Sequence, residues 1–141
     1  MAFARGFAAT AIFAGLALGL AAPASALSGH YINTETNPQT GQSSTSDWYI
    51  TPCGDGCASV AVNNPGDPGW QARLVNGQWT MDTTSTAICV DGTQVANAES
   101  GHYTWDANAL AGRHQVTINV PACGNPAGVQ FTNNFQLKQA P

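Results

Sequence analysis

Cys53 and Cys57 bracket the tripeptide Gly54-Asp55-Gly56. So short a glycine-rich span between two thiols admits few local structures and three chemistries: a metal site, a redox switch or a crosslink. Structural zinc takes two closely spaced cysteine pairs, or a cysteine pair with spaced histidines. Cys89 and Cys123 stand far apart in the chain, and neither has a close second ligand. A thioredoxin-like switch needs Cys-x-x-Cys at a helix start, where the helix end lowers a thiol pKa. Cys53 and Cys57 have a longer spacing and lie in a turn sequence instead. The residues therefore read as structural crosslinks, and among the three connectivities open to four cysteines the expected pairing is Cys53–Cys57 with Cys89–Cys123.

The compartment agrees. Arg5 precedes an apolar run over residues 7–22, and Pro23 leads into Ala24-Ser25-Ala26, a small-x-small cleavage signal. Residues 1–26 read as a signal peptide that is removed, and 27–141 as a single secreted β domain. No cysteine follows the cleavage point directly, so a lipid anchor is not expected, and no transmembrane anchor remains after cleavage. All four cysteines fall in the exported part, where an oxidising environment lets disulfides persist. Removal of Arg5 leaves Arg73, Arg113 and Lys138 against all eight acids. An acidic surface of this kind argues against nucleic acid or an anionic membrane as partner, because both demand basic patches.

Hydrophobic alternation with period two dominates after residue 26, and no amphipathic helix is evident. Turn signals recur at Asn37-Pro38, Gly54-Asp55-Gly56, Asn64-Pro65-Gly66, Asn76-Gly77, Asp91-Gly92 and Gly124-Asn125-Pro126. A meander of about eight antiparallel strands, forming a small barrel or sandwich, accounts for that pattern. A three-residue loop at Gly54-Asp55-Gly56 sets Ile50 opposite Val60, Trp48 opposite Val62, and Cys53 directly opposite Cys57. Asn76-Gly77 sets Leu74 opposite Trp79 and Ala72 opposite Met81, with Trp70 on the same face. Further on, Val116, Ile118 and Val120 point inward, as do Val129, Phe131, Phe135 and Leu137. The same parity turns Asn133 inward, where a backbone bond at a bulge or a ligand contact would satisfy it. Ser28-Gly29-His30-Tyr31 recurs as Ser100-Gly101-His102-Tyr103, and each copy is expected to open a strand. Residues 104–112 form at most a short helical turn, capped by Asp106.

Signals for catalysis are sparse. His30, His102 and His114 are scattered; His30 and His102 would converge only on neighbouring strands, with Asp106 as a third ligand. Asp55, Asp67 and Asp91 lie in turn sequences, where Asp bonds its own backbone. Glu35, Glu99 and Asp106 remain free, but in no recognisable catalytic setting. There is no Gly-x-Ser-x-Gly elbow and no phosphate-binding glycine loop. No catalytic residue, metal site or cofactor is assigned on these grounds. Trp48, Trp70 and Trp79 read as core. Tyr49 falls on the polar face of its hairpin and, with Asn133, His30 and His102, forms the set of candidate binding residues.

The Gly29-x-Tyr31 opening, Trp48-x-x-x-Pro-Cys-Gly-x-Gly-Cys57, Asn76-Gly-Gln-Trp79, Cys89-x-Asp-Gly92 and Tyr103-x-Trp-Asp106 together resemble small secreted proteins of mycobacteria and related actinobacteria. That resemblance implies export, an all-β fold and disulfides, and carries no catalytic position. The meander also resembles lipocalin-like barrels, although their usual Gly-x-Trp is missing here. The expected function is a secreted or envelope-associated, non-catalytic binding or interaction domain, its partner a protein, a glycan or an apolar small molecule. A lipocalin-like carrier of an apolar ligand is the alternative, and a hydrolase using histidine and an acid the third reading.

Overall fold

The computed structural model describes residues 27–141; the expected signal peptide lies outside the described residues. Eight antiparallel strands follow one another up and down: β1 (Gly29–Thr36), β2 (Ser43–Gly54), β3 (Cys57–Val62), β4 (Trp70–Val75), β5 (Gln78–Ile88), β6 (Gln94–Asp106), β7 (Ala111–Ile118) and β8 (Gln130–Gln139). Each pairs with the next, and β1 pairs with β8 from Tyr31↔Gln139 to Thr36↔Asn134, so the sheet closes into a barrel. Closure removes the free edges that would otherwise template aggregation. Barrel, not sandwich, is the outcome, with no helix among the described residues.

The turns follow from their residues. Asn76 and Gly77 both take positive φ, 53° and 76°, as the two-residue turn between β4 and β5 requires. Leu74↔Trp79 and Ala72↔Met81 pair as the sequence predicts. In the β2–β3 hairpin, Trp48↔Val62 and Ile50↔Val60 also hold, but the tip differs. The register slips after Pro52↔Ala58, so that Gly54 rather than Cys53 faces Cys57 across the two-residue turn Asp55-Gly56. Cys53 is the bulged residue. A bulge kinks the strand locally, and the two Cα atoms still lie 5.0 Å apart, within bridging distance. Asp106 accepts bonds from the backbone N–H groups of Asn108 and Ala109, which closes the β6–β7 connection as a single capped turn. The second Ser-Gly-His-Tyr copy sits in the middle of β6, not at its start.

An eight-stranded barrel has an interior just wide enough for side chains to fill. The half near the short turns is filled. Trp79 and Trp105, partners across β5 and β6, stack at 6.1 Å and 17°, while Trp48 and Phe135 meet Trp105 edge-on at 5.8 and 6.0 Å. Ile50, Val60, Met81 and Leu137 pack around them. Two sequence expectations fail at the other end. Trp70 has interior parity but stands at the start of β4, 39% exposed, and Val120 lies beyond the end of β7, 40% exposed. Parity assigns a face, and only depth within the barrel buries it.

β5 and β6 extend past the barrel as an arm, bent where the register shifts between Ser85 and Ala87. Ala87, Ala98 and Ala122 form a small second cluster there, and Cys89–Cys123 staples the arm to the β7–β8 connection. The two disulfides span 4 and 34 residues. In the chain-entropy picture, replacing Cys53 and Cys57 by Ser costs about 2 kcal/mol, and replacing Cys89 and Cys123 costs about 4 kcal/mol. Urea unfolding of the two double variants is expected to show that order, with the Cys89/Cys123 variant the less stable.

Candidate functional site

Every histidine in the barrel wall has a carboxylate partner, but only one pair is buried. His30 on β1 reaches Asp47 at 2.7 Å and stacks on Tyr49 at 4.5 Å. His102 on β6 reaches Asp82 at 2.6 Å. Both pairs are on the outer face, with side chains 39–85% exposed, where an ion pair contributes about 0–1 kcal/mol. β1 and β6 are not neighbours, so His30 and His102 do not converge, and Asp106 is committed to its turn. Among the described residues no group of three or more His, Cys, Asp or Glu is placed to hold a metal ion. Tyr49 and His30 thus form one outer cluster, while His102 and Asp82 line a separate polar depression on the outer wall of β5–β8 that also takes in Gln115, Gln130 and Thr132.

The buried pair is His114 with Glu35. His114 Nδ1 lies 2.6 Å from Glu35 Oε1, and the two side chains are only 14% and 15% exposed. The pair crosses the lumen from β7 to β1, two strands away. Asn133 on β8, opposite His114 in register, donates from Nδ2 to the same Glu35 oxygen at 2.6 Å. Asn133 is therefore satisfied on its donor side by an acid, not by a backbone group at a bulge, and its Oδ1 has no partner. Asn33, 2% exposed, likewise leaves its Oδ1 unpaired while Nδ2 reaches Ser46 at 3.5 Å. Buried polar atoms without partners are uncommon in native proteins.

Electrostatics fix the roles. Burial works against the charged form of Glu35, but the bonds from His114 and Asn133, with attraction to His114, outweigh it and hold the carboxyl below its ordinary value. An ionised Glu35 accepts from Nδ1–H, which leaves Nε2 as the ring nitrogen not committed to the acid. Tyr103 stacks flat on the imidazole at 3.8 Å and 11°. Its burial, and then the charges of Glu35 and Glu99, push the phenol well above its usual range, so it stays protonated.

Gly101 lets His114 Nε2 and Thr83 Oγ1 pack against the backbone of β6. A Cβ there would lie 2.5 Å from His114 Nε2 and 2.5 Å from Thr83 Oγ1, a separation real side chains do not tolerate. The two glycines of the repeated tetrapeptide thus serve different ends: Gly29 takes a positive φ of 113°, and Gly101 makes room. Beside Gly101 is a cavity of about 170 Å³. Val62, Trp70, Met81 and Val116 form its apolar wall, and Thr83, Ser85, Glu99 and His114 its polar one. Glu35 and His114 lie 79 residues apart in sequence. The parity that turns Val116 inward also turns His114 inward, and this was the available signal; the closure that brings Glu35 to it left none.

The chain matches no protein-family model, and searches of curated proteins and of solved structures return no match.

Because Glu35 is held below its ordinary value, its contribution to stability is complete above the unfolded-state value of 4.5 and is lost as pH falls through the native value. Asp91 and Asp106, lowered by backbone bonds, act in the same direction. Urea midpoints measured from neutral to acid pH should fall across that window. Glu35→Gln should start from a lower midpoint at neutral pH and fall less steeply.

Proposed function

We propose that the barrel is an exported, non-catalytic binding domain that holds a small molecule in the half of its lumen opposite the tryptophan plug. The observation that carries this reading is the pairing of an unfilled, mixed-polarity cavity with a buried His114–Glu35–Asn133 network. Ligand sites combine an apolar wall with a few convergent polar groups, and this end of the barrel has both. A carrier of large apolar ligands is less well supported, since the Trp48, Trp79 and Trp105 half of the lumen is filled by its own side chains. Two disulfides fit an oxidising compartment, and export with cleavage before Leu27 belongs to the same reading. So does the resemblance to small actinobacterial secreted proteins.

A second reading, hydrolysis, rests on one observation: a histidine oriented by a buried acid is the arrangement of a general base. Thr83 Oγ1 and His114 Nε2 both pack against Gly101, but they are not hydrogen-bonded as an activated nucleophile and its base would be.

Native mass spectrometry of the naturally secreted protein separates these readings. A small molecule retained by the wild type and absent from Gly101→Ala is the expected result. A stoichiometric protein partner with an empty barrel would overturn the proposal, and turnover of 4-nitrophenyl acetate that His114→Phe abolishes would favour hydrolysis.

A further inference from the structure

Resting on the binding reading above, the geometry points to the class of ligand: an uncharged, single-ring aromatic molecule carrying a hydroxyl, with its O–H donated to His114 Nε2. Three observations converge on this. The first is size. A cavity of about 170 Å³ is close to the roughly 150 Å³ that accommodates benzene when lined by apolar side chains. It is smaller than the roughly 300–1,000 Å³ of sites for drug-sized ligands.

The second is the placement of polarity. Val62, Trp70, Met81 and Val116 offer an apolar wall to a ring. His114 Nε2 and Thr83 Oγ1 both pack against Gly101, where an added Cβ would come within 2.5 Å of each, and both side chains line the cavity. With Nδ1–H committed to Glu35, Nε2 accepts when the imidazole is neutral, and the ligand then brings the proton. Thr83 can donate its O–H to the same hydroxyl oxygen. An ether or a bare ring would leave Nε2 desolvated and unpaired, which costs about tenfold in affinity or more.

The third is charge. The titratable groups around His114 are Glu35 across from it on β1 and Glu99 and Tyr103 on β6; β8 presents the neutral Asn133. Glu35 is ionised, Glu99 lines the cavity, and no cationic side chain lines it. A carboxylate ligand would meet two like charges in a partly dry site, so aromatic acids are excluded where aromatic alcohols enter.

The test uses the protein with both disulfides formed, labelled with ¹⁵N, and three probes: phenol, anisole and benzoate. Phenol is expected to shift the Gly101 amide and the Trp70 indole signal to saturation. Anisole should bind at least about tenfold more weakly, because it lacks the donor. Benzoate should leave the signals unmoved. His114→Phe should equalise phenol and anisole, and Gly101→Ala, should the first variant not fold, should weaken phenol by displacing His114 and Thr83. Anisole binding as tightly as phenol, or benzoate binding best, would overturn the ligand class while leaving the cavity as a binding site. No response to any of the three would overturn both.

Discussion

Closure of β1 onto β8 is the constraint on which the rest of the structure depends. In an open meander each strand could place either face toward solvent. Once the ladder from Tyr31↔Gln139 to Thr36↔Asn134 forms, every strand has one face in the lumen and one outside. The alternation of the sequence then has a single solution. Trp48, Trp79, Trp105 and Phe135 go inside and fill one half. Asn33, Glu35, His114 and Asn133 follow the same parity inside, into the other half. Their burial is a consequence of closure, and the bonds from His114 and Asn133 to Glu35 offset part of its cost.

The division of the lumen along its axis is what gives the fold a site at all. The short β2–β3 and β4–β5 turns and the capped β6–β7 turn cluster at the aromatic end, where large rings leave no room for a ligand. The longer connections, including the arm stapled by Cys89–Cys123, lie at the other end. Smaller and polar residues there leave a cavity, and Gly101 lets His114 and Thr83 pack close against β6 at its wall. The disulfides take no part in this chemistry. They brace the hairpin tip and the arm, and among the described residues there is no free thiol to act as nucleophile or ligand.

How much of this was legible in the sequence depends on the separation of the residues involved. Local features were: the Asn76-Gly77 turn, the β2–β3 pairing as far as Pro52, the Asp106 cap and the inward tryptophans 48 and 79. Both disulfides were too, because a close pair of cysteines leaves only two others to join. A bulge at Cys53 has no distinct residue signature, since the same glycines serve a two- or three-residue loop, so the tip register slipped by one. Trp70 and Val120 show that parity carries no information about depth. The site itself was hidden for a different reason. His30, His102 and Tyr49 were singled out by their local setting, yet all three are on the outer wall. Glu35 and His114 meet only through closure, and no local pattern in a single chain encodes a contact across a lumen.

The account rests on a buried carboxylate that dictates which nitrogen of His114 carries the proton. Long-range ¹H–¹⁵N correlation of the histidine rings at alkaline pH, where imidazoles are neutral, reads this directly. The expected spectrum shows His114 as the Nδ1–H tautomer, with a slowly exchanging ring proton that disappears in Glu35→Gln. An Nε2–H tautomer, or a His114 ring proton in rapid exchange with solvent and indifferent to Glu35, would contradict the account.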